Sequence, residues 1–338
     1  MKKHDHSVRE RFAFKKNTPF FREVRKGGLV TEICPYFRGQ VVVSGGTANG
    51  TSQGEAAPAG FISRFQLDAI SKGVYPGGTL KSLSPRSVLR RRIFDKGTFQ
   101  GDFAQTRVQS QVSGLTGAAG TFKFNTRFPL EFALSGNVRP IETALNTDAY
   151  SGLQLEITTA DEKAQFSAAN DRVFDYAGAY LEIVDYREAV DTSDPKNAPA
   201  VLIEVDTPVP VQTTNQRMPL KSEIQYAEAF LDLLLITETT NGALTDNIIN
   251  AVKLKSQNDQ WFDLYSDEIK AEQDEYIIDP AESGTGLYYL PMTRDGLLMG
   301  AMREIEGILD VTNSAAADLI TVCTRRVIFP QEFLTQQK

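Results

Sequence analysis

Residues 121–134 read Thr121-Phe122-Lys123-Phe124-Asn125-Thr126-Arg127-Phe128-Pro129-Leu130-Glu131-Phe132-Ala133-Leu134. The even positions are Phe122, Phe124, Thr126, Phe128, Leu130, Phe132 and Leu134, whereas Lys123, Asn125, Arg127 and Glu131 fall on odd ones. A period of two marks a strand with one buried and one wet face. Unbroken, the run would reach on the order of 40 Å at about 3.3 Å per residue, long for a strand. Pro129 supplies the break, since proline has no N–H for a ladder; two strands meeting at a bend, or one strand on a sheet edge, accommodate it. Either way, so apolar a face needs a second sheet to cover it.

Working outward, 338 residues with 41% hydrophobic and 23% charged content give enough apolar mass for a large core, and the length predicts two globular domains. No run approaches the roughly eighteen apolar residues of a membrane-spanning helix, and the polar, basic N-terminus lacks a signal-peptide core. Cys34 and Cys323 have no metal-site or redox spacing and read as two buried free thiols. Both histidines, His4 and His6, lie in the first six residues. The body therefore lacks the imidazole that serine or cysteine triads and zinc hydrolase sites require, and no cofactor or metal site is expected.

Residues 1–28 carry Lys2, Lys3, Arg9, Arg11, Lys15, Lys16, Arg22, Arg25 and Lys26 against Asp5, Glu10 and Glu23, a net of +6 in a chain of net −7, so the remainder carries −13. The asymmetry predicts a basic N-terminal arm, residues 1–27, that meets an anionic partner. Phe12, Phe14, Phe20 and Phe21 interleave with the cations. That mix suits lipid headgroups or nucleic acid, and equally suits docking of the arm on its own body or a neighbour.

Residues 45–60 are too poor in apolar side chains to pack and read as an exposed loop. Ser84-Pro85 opens a short helix, with serine at the N-cap and proline at the first helical position. Its Arg90-Arg91-Arg92 triplet is expected on an outward face or at a subunit contact. Strands are predicted at 153–157 and 179–184, then a polar, proline-bearing linker at 191–199. Beyond it, Ala229-Phe230-Leu231-Asp232-Leu233-Leu234-Leu235-Ile236 reads as a central sandwich strand, residues 266–276 as a serine-capped acidic helix, and 286–290, 296–299, 308–311 and 319–329 as strands.

The halves share an order of parts. Early strands lead to a Ser-capped helix (Ser84, Ser266), a glycine turn (Gly120, Gly286), strands containing Phe128-Pro129 or Leu290-Pro291, and a β-branched close. Many short strands, few helices and a repeated order predict an all-β chain of two tandem sandwiches.

From about residue 20 to 330 this pattern resembles the double jelly-roll major capsid proteins of tailless icosahedral viruses, the lineage of tectiviruses, corticoviruses and adenovirus hexon. The resemblance is carried by 128–132 leading to Tyr150-Ser151-Gly152-Leu153-Gln154-Leu155-Glu156-Ile157, by 262–276, by Gly286-Leu287-Tyr288-Tyr289-Leu290-Pro291 and by the 319–329 close. It implies two eight-stranded jelly-roll sandwiches, 28–190 and 200–331, each with a short helix, and a tail at 332–338. The short 45–60 loop places the chain nearer a compact bacteriophage form than hexon. The resemblance further implies a homotrimer with a pseudo-hexagonal outline, located in the virion capsid after assembly in the host cytoplasm. Such trimers tile a shell over an internal lipid membrane, with neighbouring capsomers, penton and minor capsid proteins as partners. The arm residues Lys2, Lys3, Arg9, Arg11, Phe12, Phe14, Lys15 and Lys16 are then the candidate contacts to membrane or neighbour, and no enzymatic activity is expected.

Two other classes compete. A carboxylate-dependent glycoside hydrolase on a β-sandwich has ample Asp and Glu, 43 in all, yet Trp261 is the only tryptophan for stacking on sugar. A virion spike or receptor-binding protein would be built on a fibrous or repeat-rich stem, and the sequence has no such repeat. Sequence-specific nucleic-acid binding by a body of pI 5.1 is disfavoured by charge repulsion.

Overall fold

The computed structural model describes residues 5–46, 51–52, 59–73, 75–96, 119–133, 143–167, 172–188, 192, 200–211, 216–218, 220, 227–240, 242–256, 259–277, 284–292, 305–311 and 318–329. The first half runs β1 (Asp5–Ala13), β2 (Pro19–Glu23), β3 (Leu29–Ser44), β4 (Thr51–Ser52), β5 (Ile62–Ser71), β6 (Gly78–Leu83), α1 (Pro85–Lys96), β7 (Gly120–Arg127), β8 (Leu130–Glu131), β9 (Leu145–Asn146), β10 (Tyr150–Thr159), α2 (Glu162–Gln165), β11 (Phe166–Ser167), β12 (Val173–Asp175) and β13 (Ala179–Glu188). The second runs β14 (Val201–Pro210), β15 (Gln216–Met218), β16 (Ala227–Glu238), β17 (Ile249–Ser256), β18 (Asp259–Tyr265), α3 (Ser266–Gln273), β19 (Leu287–Pro291), β20 (Ile305–Val311) and β21 (Leu319–Phe329).

Pro129 breaks the phenylalanine run as expected, giving β7 and β8, both antiparallel to β3. Phe124, Thr126, Phe128, Leu130 and Phe132 are buried, while Lys123 and Asn125 face water. Long β3 is the spine of this sheet: β7, β8 and β9 lie along one side of it and β13 with β12 along the other, and β1 pairs with β13. Seven strands thus fill four lanes.

The facing sheet has eight strands in the order β19-β16-β21-β14-β6-β5-β10-β2 and belongs to both halves. Its β6-β5-β10-β2 portion closes the first sandwich, around Phe37, Phe61, Phe65, Phe128, Leu155 and Leu181. Its β19-β16-β21-β14 portion faces the four-stranded sheet β15-β20-β17-β18, and these eight strands enclose a second core that includes Leu233, Leu235, Val252, Leu309 and Val322. In β16, Leu233 and Leu235 point into that second core while Leu234 and Ile236 join the first core. Burial on both faces explains why the stretch is continuously apolar instead of alternating.

The helices follow their caps. Ser84 Oγ accepts the Ser87 N–H at 3.1 Å at the start of α1. For α3 the N-cap is Tyr265 and not Ser266: Glu268 reaches back to accept the Tyr265 N–H at 2.8 Å, the reciprocal bond of a capping box. Both cysteines are buried free thiols. The 296–299 strand, all of the 191–199 linker except Thr192, and the 332–338 tail lie outside the described residues.

Of the readings open for the N-terminal segment, the described residues show docking on the chain's own body. Residues 5–13 form an edge strand on β13, and Phe14 is only 5% exposed, its ring centroid 4.9 Å from that of Phe37 and its N–H donating to the Ala179 carbonyl at 3.0 Å. The cause is visible in the alternation of exposed Arg9, Arg11 and Ala13 with inward Phe12 and Phe14, a period of two that the charge count conceals. Arg22 of β2 spans the sandwich to make two bonds to buried Asp185 at 2.6 and 2.8 Å. Phe14→Ala should lower the unfolding free energy by about 3–5 kcal/mol. Phe21→Ala, at a 51% exposed position, should change it by about 0.5 kcal/mol or less. Urea titrations of the two variants check this, and an equally small effect at Phe14 would contradict its docking in the core.

Candidate functional site

The described residues concentrate their unusual chemistry where the two sandwiches join. The shared sheet crosses from one half to the other through a short parallel pairing, Lys81 opposite Glu204 and Ser82 opposite Val205. Two residue pairs give little ladder, so side chains must hold the joint. Lys81, fully buried on β6, pairs with Glu204, donates to the Glu131 carbonyl at 2.6 Å and lies 4.6 Å from the centre of the Phe132 ring. Arg325 of β21 donates to Glu204 at 2.6 Å and, through both terminal nitrogens, to Asp95 of α1 at 2.6 and 2.7 Å. Arg91 of α1 pairs with Asp232 of β16 and donates to the Cys323 carbonyl at 2.9 Å; Arg92 lies 3.7 Å from Glu131.

Four cations thus face four carboxylates across the joint. This corrects the expected outward face of the arginine triplet: Arg90, Arg91 and Arg92 are 4–7% exposed. Helix α1 is wedged between the halves, its Val88, Leu89, Ile93 and Phe94 in the first core and Phe94 stacked on Tyr289 of β19 at 4.5 Å. A helix buried on every side must find a partner for each charge it carries. Burial alone would raise the Glu204 carboxyl, but Lys81, Arg325 and Arg91 overcome it and hold the group well below the carboxylate range.

A groove of about 560 Å³ opens beside the first turn of α1, lined by Arg64, Leu83, Leu89, Asp206, Glu238 and Thr321 among others. Its two carboxylates are tied to that turn. Glu238 pairs with Arg86, and Asp206 accepts the Ser84 N–H at 2.7 Å and the Ser87 hydroxyl. Burial pushes the Asp206 carboxyl up. These groups brace a helix terminus, and the geometry assigns them no task on a sugar. Among the described residues, no three His, Cys, Asp or Glu side chains converge as metal ligands.

The residues expected in the arm are not gathered into one site. Lys2 and Lys3 lie outside the described residues. Arg9 and Lys15 are exposed; Arg11 lies 4.2 Å above the Tyr180 ring and 3.6 Å from Glu182. Lys16 pairs with Glu162 at 3.1 Å, Phe12 packs on Phe20 at 5.8 Å and Phe14 belongs to the core. The joint itself goes unsignalled by any motif. Its trace is a set of single charges inside apolar runs: Glu204 in Val-Leu-Ile-Glu-Val, Asp232 in Phe-Leu-Asp-Leu-Leu, and Arg325 before Arg-Val-Ile-Phe.

Two jelly-roll sandwiches sharing one sheet define a double jelly roll. No known family and no curated protein matches the sequence. Solved structures do. The STIV major capsid protein matches with a TM-score of 0.65 at 15% identity, over 96% of each chain. The Faustovirus major capsid protein matches at 0.57 and 8% identity, over 98% of this chain and 91% of that one. Major capsid protein P2 of bacteriophage PM2 matches at 0.51 and 10%, over 96% and 98%.

Removing one member of the buried set strands its partner's charge, so Lys81→Met or Glu204→Gln alone should cost about 3–5 kcal/mol. The double variant should be less destabilised than the sum by more than about 0.5 kcal/mol; additivity in a urea double-mutant cycle would deny the coupling. The pH sign follows from the depressed carboxyl. Glu204's contribution is complete above its ordinary value of 4.5 and is lost as pH falls through the lower folded-state value. Stability of the Glu204→Gln variant should therefore fall less steeply in acid.

Proposed function

We propose that this chain is the structural major capsid protein of an icosahedral virus, located in the virion shell. The observation that carries the reading is length-wide agreement in fold with a major capsid protein, over 96% of both chains. Four carboxylates that a hydrolase could have used, Glu204, Asp232, Asp95 and Glu131, face lysine and arginine at the joint.

The working unit in this reading is a homotrimer, whose six sandwiches make a pseudo-hexagonal block that packs against neighbouring capsomers, penton and minor capsid proteins over an internal lipid membrane. The N-terminal cations Lys2, Lys3, Arg9, Arg11, Lys15 and Lys16 are its contact with membrane or neighbouring protein. Phe12, partly buried against Phe20, belongs with them, whereas Phe14 is enclosed in the first core.

Purified protein should sediment at about three times the 37.4 kDa chain mass and show six-sided outlines by negative-stain electron microscopy. A persistent monomer that never forms shells, or glycan hydrolysis abolished by a single carboxylate substitution, would overturn the proposal.

A further inference from the structure

We infer that the groove beside the first turn of α1 is a binding site for a fatty acid, with the acyl chain along its apolar wall and the carboxylate at Arg64. Nothing in the lining of the groove depends on the shell role proposed above.

At about 560 Å³ the groove falls within the range of small-molecule sites and is far larger than a few ordered waters require. It also lies between two sandwiches, and ligand sites gather at such domain boundaries. Ile62 of β5, Leu83 of β6, Leu89 of α1 and Ala164 of α2 supply wall from the first half, while Pro208 of β14 and Leu319 of β21 supply it from the second. Apolar wall left to water forgoes the gain that burial brings, and an acyl chain laid along it recovers that gain. Because the walls come from different sandwiches, a bound chain adds to the hold between them.

Three arginines line the same groove in different circumstances. Arg86 is paired with Glu238, and Arg90 is buried. Arg64 is exposed; its Nε and Nη2 both donate to the Ser82 hydroxyl, at 3.0 and 2.7 Å, and among the described residues no carboxylate answers its charge. Ser82 therefore orients the guanidinium without neutralising it. Of the two acids in the lining, Glu238 is neutralised by Arg86, and burial favours the uncharged form of Asp206, so they oppose an incoming anion less than their number suggests. The first turn of α1 adds the positive end of a helix dipole. A compact inorganic anion would satisfy Arg64 and leave the wall wet, whereas a neutral hydrocarbon or alcohol would cover the wall and leave Arg64 unmatched. A fatty acid meets both demands.

The test titrates the full chain, free of detergent, with decanoate, hexanoate, decanol and inorganic phosphate in a calorimeter. Decanoate should bind saturably, one per chain, and at least about tenfold tighter than hexanoate, because each added methylene finds apolar wall. Arg64→Ala should weaken decanoate about fivefold or more and leave decanol within about twofold of the parent, since only the carboxylate uses the guanidinium. Ala164→Trp fills the groove from an exposed position and should abolish binding of decanoate and decanol alike, with circular dichroism unchanged. If that variant misfolds, the comparison of decanoate with decanol at Arg64→Ala decides alone. Decanoate that does not bind, that binds the folded Ala164→Trp chain as well as the parent, or that loses nothing at Arg64→Ala would overturn the site. Hexanoate or phosphate as tight as decanoate would do the same. Trimers that take up no decanoate would remove the site and leave the capsid reading standing.

Discussion

Everything in this molecule depends on burying opposite charges at one joint. The two sandwiches are linked through their common sheet by a parallel pairing two residues long, far too little to fix two domains against each other. What fixes them is α1, driven between them and held by Arg91 with Asp232, Arg325 with Asp95 and Glu204, and Lys81 with Glu204. Each of these charges would be costly alone in such a place. Together they are balanced, and they demand the relative position in which all are satisfied at once. Apolar packing favours contact between the halves; the charge set narrows the contact to one arrangement.

That arrangement gives the second sandwich's half-sheet two buried faces, one on its own core and one on α1. The result is a thick, doubly covered block with continuous hydrogen bonding from β19 to β2. Such a block is what the proposed shell role asks for, since edges that meet neighbours must do so at fixed angles. At the joint the buried acids Glu204 and Asp232 are paired with lysine and arginine.

Much of the fold was legible in the sequence wherever one face is wet. The alternation from Phe122 to Phe132, the break at Pro129, the Ser84-Pro85 helix start and the doubly buried 229–236 run each map onto a single structural cause. The joint was not legible, because partners such as Lys81 and Glu204 are 123 residues apart and each looks like an ordinary surface charge on its own. The Arg90-Arg91-Arg92 triplet misleads for the same reason: a run of cations reads as solvated unless its counter-charges are known to converge on it. Charge density also hid the strand at residues 5–13, where inward Phe12 sits between exposed Arg11 and Ala13.

The central claim is that the two sandwiches behave as one body because the joint couples them. Trp261, the sole tryptophan, lies on β18 of the second sandwich, whereas far-ultraviolet circular dichroism reports strands of both. Urea unfolding followed by both signals measures the coupling directly. One shared midpoint and slope is the result predicted here; a tryptophan transition separated from the loss of overall β-structure would show two independent domains and contradict it.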